Sequence, residues 1–232
     1  MKMNGFYSIA IDGPGGAGKS SLAKKLAAAF SFIYVDTGAI YRTVGLSAFN
    51  KGIDPKNEEA VKAILPELEI GMKYNEAGEQ CMMLNGEDVS KAIRMPEISL
   101  YASDVSAHAS VRSFLLDMQR KFARESNVIM DGRDIGTVVL PDAELKIYLT
   151  ADVEVRAQRR YLELQQKDVE AVYEEVLEEM KLRDWQDMNR EVAPLKKADD
   201  AVLVDTSEID FEESFHVLCE LVIKELAIDR GN

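Results

Sequence analysis

Residues 8–21, Ser-Ile-Ala-Ile-Asp-Gly-Pro-Gly-Gly-Ala-Gly-Lys-Ser-Ser, set glycines, a lysine and a hydroxyl at the spacing Gly13-x-x-x-x-Gly18-Lys19-Ser20. That spacing suits phosphate binding. Gly13, Gly15, Gly16 and Gly18, with Ala17 among them, let the backbone curl so that its N–H groups face phosphate oxygens. Lys19 adds a point charge, and the Ser20 hydroxyl, followed by Ser21, is a hard oxygen donor suited to Mg²⁺. An ordinary Gly-rich turn is the competing reading, and the flanking pattern speaks against it. Tyr7–Asp12 reads as a buried strand, and Ser20–Phe30 reads as a helix whose N-terminal dipole would favour an anion.

A second group of residues that can do chemistry is a set of arginines and carboxylates near the ends of expected strands and on expected helices. Arg183, Asp187 and Arg190 are four and three residues apart, which puts them on one helical face. A surface i,i+4 ion pair is the bland alternative. Arg156, Arg159 and Arg160 share a face in the same way, with a solvated basic surface as the alternative. Arg42 and Arg133 each follow an expected strand, where a charge is otherwise simply hydrated. His108, His216 and Trp185 are given no role, since a lone histidine is most often structural.

These side chains need a scaffold, and 232 residues at 47% hydrophobic composition can build one sizeable core with appendages. Apolar runs at Phe32–Asp36, Asn127–Asp131, Leu145–Thr150 and Ala201–Asp205 join the first strand. Helical patterns at Ala39–Lys51, 152–166, 169–189 and 210–227 alternate with them. A further helix is expected from about Ser110 as N-cap, with Val111, Phe114, Leu115, Met118 and Phe122 as its stripe. Five strands with interleaved helices imply an α/β fold, a doubly wound five-stranded parallel sheet with its ligand at the carboxyl ends of the strands. Residues 69–90 interrupt this rhythm: Glu69–Tyr74 and Gln80–Leu84 read as strands around Asn75-Glu76-Ala77-Gly78, and the turn pair Asn85-Gly86 follows. A small antiparallel insertion is expected there.

Composition excludes several classes. A net charge of −13 opposes nonspecific nucleic-acid binding, so an anionic ligand must find a local cluster of arginines. No apolar stretch reaches the ~18 residues of a membrane span, and no N-terminal leader pattern is present. Cys81 and Cys219 lie far apart with no C-x-x-C spacing, so neither a zinc site nor a disulfide framework is expected, and a reduced cytoplasm suits them. An Asn-Lys-x-Asp guanine-reading motif and a Leu-Ser-Gly-Gly-Gln signature are both missing, which lowers the GTPase and transporter-ATPase readings.

Three blocks make the pattern specific: Val35-Asp36-Thr37-Gly38-Ala39-Ile40-Tyr41-Arg42, Asp131-Gly132-Arg133-Asp134-Ile135-Gly136-Thr137-Val138-Val139 and Asn189-Arg190-Glu191-Val192-Ala193-Pro194-Leu195. Together with the phosphate loop, and in this order over nearly the whole chain, they resemble the bacterial cytidylate kinases, phosphate-loop kinases of nucleoside monophosphates. Gly15 and the Ser20-Ser21 ending depart from the commoner loop without removing a required group. The resemblance implies a core at 1–36, 106–154 and 169–232, a monophosphate-binding domain at 37–105 that includes the insertion, and a short helical lid at 155–168.

It also implies residue roles. Arg42 would grip the acceptor phosphate, with Asp36 and Thr37 at the border of that pocket, and Arg133 would reach phosphate near the loop. Asp134, Ser103 and Arg112 would read the pyrimidine, a chemically apt set for cytosine's amine donor, ring-nitrogen acceptor and carbonyl acceptor. A helix-face charge is the alternative reading of Arg112. Asp187 would bind the ribose, Arg183 and Arg190 would reach substrate phosphates, and Arg156, Arg159 and Arg160 with Gln165-Gln166-Lys167 would close over ATP. The expected catalytic groups are therefore Lys19, Arg133, Arg156 and Arg160, with Ser20 on Mg²⁺.

The implied reaction passes the ATP γ-phosphoryl group to CMP or dCMP, in a monomer without membrane or nucleic-acid partners. No general base is needed, because a nucleotide phosphate is already largely ionised at neutral pH. Two alternatives stay open on the sequence: a phosphate-loop kinase for UMP, AMP or another metabolite, and a regulatory module that binds nucleotide without turnover.

Overall fold

The computed structural model describes residues 5–75 and 80–229. The chain opens with strand β1 (Ser8–Asp12), helix α1 (Lys19–Phe30) and strand β2 (Ile33–Asp36). Next come α2 (Thr37–Asn50), α3 (Glu58–Ile64), β3 (Ile70–Tyr74), β4 (Gln80–Leu84), β5 (Glu87–Asp88), α4 (Pro96–Val105) and α5 (Ala109–Glu125). The last part holds β6 (Val128–Gly132), a π-helical turn (Ile135–Val139), β7 (Leu145–Thr150), α6 (Val153–Gln166), α7 (Tyr173–Asn189), β8 (Val202–Asp205) and α8 (Phe211–Leu226). Contacts divide the chain into two compact units, one made of residues up to Val35 with Arg120 onward, the other of Asp36–Gln119.

The first unit carries a five-stranded sheet in the order β2-β6-β1-β7-β8, with parallel pairing of β1 to β6 and β7 and of β7 to β8. This is the doubly wound parallel sheet that the alternating apolar runs imply. Strand alternation decides which groups meet which helix. Ile9, Ile11, Ile129, Ile147 and Leu149 fall on the face covered by α1 and α8, packed with Leu22, Leu26, Leu218 and Val222. Asp131 has the same parity as Ile129 and so comes over the start of α1, while Asp12, the neighbour of Ile11, projects to the opposite face. Helix α8 begins with a full capping box, Asp210 and Glu213 each bonding the other's backbone N–H.

In the second unit, Gly45 of α2 lies so close to α4 that an added Cβ would stand 2.9 Å from the Ala102 amide nitrogen. A glycine is therefore what permits that close crossing. The insertion is a three-stranded sheet in the order β3-β4-β5, with β3–β4 and β4–β5 antiparallel. The Asn85-Gly86 pair turns β4 into β5, both residues at positive φ as a primed hairpin turn requires. The third strand is only two residues long, below what sequence alternation can signal. Of the expected Asn75–Gly78 turn, residues 76–78 lie outside the described residues.

Helix α7 starts at Tyr173, four residues later than expected, and two further features differ from expectation for identifiable reasons. Helix α5 starts at Ala109, so Ser110 sits inside the first turn instead of capping it, and its N–H and hydroxyl both donate to Glu58 Oε1 at 3.2 and 2.9 Å. Helix α4 has no counterpart among the expected elements, although Pro96 at its first position and the buried Ile98, Ala102 and Val105 form a legible signature.

Candidate active site

The glycine loop closes against the sheet. A Cβ at Gly13 would lie 1.9 Å from the Leu149 carbonyl oxygen, and one at Gly16 would lie 2.6 Å from Met180 Cε. Gly13, Gly16 and Gly18 all have positive φ, and Gly18 is the left-handed residue from which α1 starts. Ala17, buried, completes the loop floor, and Ser21 is exposed in the first turn. Lys19 is buried and donates Nζ to the Pro14 carbonyl at 2.6 Å. Burial, and then the Arg133 guanidinium, push its ammonium down to about 7, against the pull of Asp131 and Asp12.

Two carboxylates at adjacent strand ends frame the loop, and sequence reasoning assigned neither. Asp131 Oδ2 accepts from Ser20 Oγ at 2.7 Å and its Oδ1 accepts from Tyr34 OH at 2.8 Å. Asp12 accepts from the backbone N–H groups of Ile135 (2.8 Å) and Gly136 (2.7 Å). Burial pushes the Asp12 carboxyl up to about 6 even though those two bonds pull the other way. The signal for both was available: each is the last acidic residue of an apolar run in a sheet whose strand ends point at the loop.

The arginines of the first unit converge in part. Arg133 Nε donates to Asp187 Oδ2 at 2.7 Å, so Asp187 pairs across elements and not with Arg183 four residues earlier. Burial would lower the Arg133 guanidinium, but Asp187 beside it holds it above its ordinary value. Burial would likewise raise Asp187, and Arg133, Arg183 and Arg190 together hold it below the usual carboxylate range. Arg183 is exposed, its Cδ 4.0 Å from where a Gly15 Cβ would stand, and its charge acts on Lys19. Arg190 donates Nε to Ala193 O at 2.7 Å and brings Nη2 within 3.7 Å of Asp134 Oδ1.

The face expected to be shared by Arg156, Arg159 and Arg160 splits by partner. Buried Arg156 donates to Ala151 O (2.8 Å), Gly15 O (2.9 Å) and Asp184 Oδ2 (2.6 Å). Arg159 holds Thr206 through its carbonyl at 2.7 Å and its hydroxyl at 3.2 Å. Arg160 is exposed and pairs with Glu163 at 2.8 Å.

The second unit carries its own cluster. Asp36 caps α2 by accepting from Ala39 N at 2.8 Å, and its other oxygen accepts from Arg42 Nη2 at 3.0 Å. Arg42 Nε is buried without a hydrogen-bond partner among the described residues, an arrangement that costs energy unless a ligand supplies the acceptor. Thr37 is buried in the first turn of the same helix. Arg112 is buried with its guanidinium 5.4 Å from the centre of the Tyr41 ring, not a solvated helix-face charge. Ser106 joins it to Ser103: Arg112 Nη1 donates to Ser106 O at 3.0 Å, and Ser106 Oγ donates to Ser103 O at 2.8 Å. His108 Nε2 lies 2.7 Å from Pro55 O, and His216 pairs with Glu220 on the surface.

For a metal ion, no cluster of three Asp, Glu, His or Cys exists among the described residues. Magnesium in phosphoryl-transfer sites takes only one or two protein oxygens and completes its shell with phosphate oxygens and water. The Ser20 hydroxyl against the Asp131 carboxylate is a hard-oxygen pair of that kind, so the residues present fit it.

Comparison with known proteins agrees with this geometry. The cytidylate kinase family model matches residues 9–226. Over 217 residues the chain is 49% identical to a cytidylate kinase of Caldicellulosiruptor bescii, covering 94% of this chain and 96% of that one. It is 47% identical over 214 residues to the enzyme of Thermosipho melanesiensis, covering 92% and 95%. It is 44% identical over 222 residues to that of Lactobacillus johnsonii, covering 96% of each. With a phosphate loop at the head of α1, Arg133 at the end of β6 and relatives that match over more than nine-tenths of its length, the chain belongs to the cytidylate kinase family.

Proposed function

We infer that this protein transfers the γ-phosphoryl group of ATP to CMP and dCMP, yielding ADP and the corresponding diphosphate. The observation that carries the reading is that Lys19 and Arg133 both border the glycine loop: Lys19 Nζ donates to Pro14 O at 2.6 Å, and Arg133 Nη2 stands 3.6 Å from where a Gly15 Cβ would lie. Two cations at a loop of this kind suit polyanionic substrates.

In this mechanism the chain positions and neutralises. The loop N–H groups and Lys19 hold the donor phosphates, while Arg42, Arg133, Arg183 and Arg190 hold phosphate oxygens of the two substrates and offset their repulsion. The partnerless Arg42 Nε supports its assignment to the acceptor phosphate. Asp134, Ser103 and Arg112 are assigned to the cytosine, and Asp187 to the ribose. Of the α6 arginines, Arg160 is the one on a solvent-exposed ion pair, weakly enough held to turn toward ATP, and Arg156 and Arg159 brace the helix beneath it. Magnesium bound with ATP would neutralise charge on the phosphate oxygens, held by Ser20 and Asp131. The acceptor phosphate needs no base, since it is ionised near neutral pH.

The same reading takes the protein to be a cytoplasmic monomer. No helix among the described residues is long and apolar enough to cross a membrane, and Cys219 is buried in the core.

The test is ADP formation with Mg-ATP and, separately, CMP, dCMP, UMP, AMP, GMP and no acceptor. Turnover with CMP and dCMP far above the rest is expected. Turnover with a different acceptor would keep the kinase and overturn the base pocket, and binding without turnover would leave a regulatory module.

A further inference from the structure

Strand β6 ends at Gly132 and the π-helical turn begins at Ile135, so Arg133 and Asp134 form a two-residue link between two pieces of backbone. One residue holds both pieces. Asp12 is the register partner of Gly132 in the sheet, and its carboxylate takes the first two N–H groups of the turn, Ile135 and Gly136. At the far end Arg120 donates Nε to Val139 O and Nη2 to Val138 O, each at 3.0 Å. The opening donors and closing acceptors that a single helical turn leaves unsatisfied are thus met by side chains from distant parts of the chain. Isolated π-helical turns are uncommon and recur at functional sites.

The cap position of this turn is occupied by Asp134, yet Asp134 makes no side-chain capping bond. Asp12 does that work from the neighbouring strand. A carboxylate that capped its own turn would be folded back onto residues 136 and 137; here the Asp134 carboxylate is directed elsewhere, with Oδ1 3.7 Å from Arg190 Nη2.

We propose that Asp12 and Arg120 are positioning residues for acceptor recognition: by clamping the turn at both ends they fix the stance of Arg133 and Asp134. The proposal rests on the assignment of Arg133 and Asp134 to the acceptor nucleotide given above, and adds two residues that act without touching it. The backbone at both edges of the link is fixed by Asp12, so releasing the turn lets both side chains drift together. Sub-ångström drift at substrate-positioning groups is costly, with losses up to about a hundredfold for displacements near 1 Å.

The experiment is steady-state kinetics of the full chain with ATP and either CMP or UMP, for wild type, Arg120→Gln, Asp12→Asn and the double variant. Asp12 also lies among the charges acting on Lys19, which makes Arg120→Gln the decisive variant. Each single change is expected to raise KM for CMP about tenfold and to shrink the preference for CMP over UMP, and for Arg120→Gln the KM for ATP should stay within about twofold. The double variant should be little worse than the more severe single one, because both release the same turn. Arg120→Lys, which keeps one donor, should recover part of the loss. A folded Arg120→Gln with unchanged KM for CMP and unchanged base preference overturns the proposal, even if its melting temperature falls. So does a parallel rise in KM for ATP, or failure of every Arg120 variant to fold. A wild-type protein inactive on CMP would instead sink the functional reading on which this one stands.

Discussion

Arg133 and Asp187 form an ion pair at 2.7 Å that joins the residue after β6 to the last turn of α7, with the Asp187 carboxylate only 11% exposed. Because Arg133 with Arg183 and Arg190 outweighs burial and depresses Asp187, the pair stabilises the fold above the ordinary carboxylate pKa of about 4. That contribution is lost as pH falls below this value, through the folded-state pKa. Asp187→Asn is therefore expected to cost about 1–3 kcal/mol at pH 7. The gap in urea midpoint between wild type and variant should be constant above about pH 5 and narrow below pH 4. A gap that is flat down to pH 3 would show that Asp187 carries no linked charge.

Lys19 is stored at a cost. Its folded-state pKa of about 7 lies below the ordinary lysine value, so the folded protein binds fewer protons than the unfolded chain between about 7 and 10.5, and the penalty is full below pH 7. Lys19→Met should raise the melting temperature of the nucleotide-free protein, by on the order of 2–4 kcal/mol in stability at pH 7, while abolishing phosphoryl transfer. Its advantage should shrink as pH rises toward 10. A Lys19→Met protein that is less stable than wild type at pH 7 would mean that the Pro14 carbonyl bond outweighs the burial of the charge.

Arg42→Lys keeps the charge and loses the fork. The guanidinium gives Asp36 one donor and leaves Nε buried for a ligand, which an ammonium cannot do from the same stem. KM for CMP should rise about tenfold with KM for ATP unchanged. An unaltered KM for CMP would remove Arg42 from the acceptor site.

Gly45→Ala tests packing alone. Its Cβ would meet the Ala102 backbone nitrogen at 2.9 Å and the Tyr101 carbonyl carbon at 3.2 Å, and no side-chain rotation relieves a clash with backbone. Helices α2 and α4 must move apart, at a cost of about 1–3 kcal/mol, readable as a lower melting temperature. No change in melting temperature would mean that the α2–α4 crossing yields without strain.

The sheet was legible because each of its strands is a short apolar run between helix patterns, a composition that burial on both faces forces in β1, β6 and most of β7. The loop was legible because its chemistry is local: glycines, Lys19 and Ser20 are neighbours in sequence. Asp12 and Asp131 were not, since their importance comes from sheet register, which puts Asp12 beside Gly132 and Asp131 above Ser20. The same blindness explains Asp187, whose helical spacing pointed to Arg183 while the fold delivered Arg133. Helical periodicity grouped Arg156, Arg159 and Arg160, but three residues cover enough of a turn to reach three different neighbours. The π-helical turn has no pattern of its own, because its ends are satisfied by Asp12 and Arg120 from elsewhere.

The three bonds of Arg156 constrain how the far half of α6 can travel. Its guanidinium ties the first turn of that helix to the Gly15 carbonyl and to Asp184 of α7, and Arg159 adds a tie to Thr206. A rigid swing of the whole helix would break all of them and disturb the loop at its second glycine. If α6 opens and closes over the donor nucleotide as proposed, the motion should hinge beyond Arg159, where the side chains from Leu162 to Lys167 are mostly exposed and are joined by bonds within the same segment, Gln165 to Tyr161, Lys167 to Glu163 and Arg160 to Glu163. In such a motion the donor loop and the root of the helix would travel as one block, tied by Arg156.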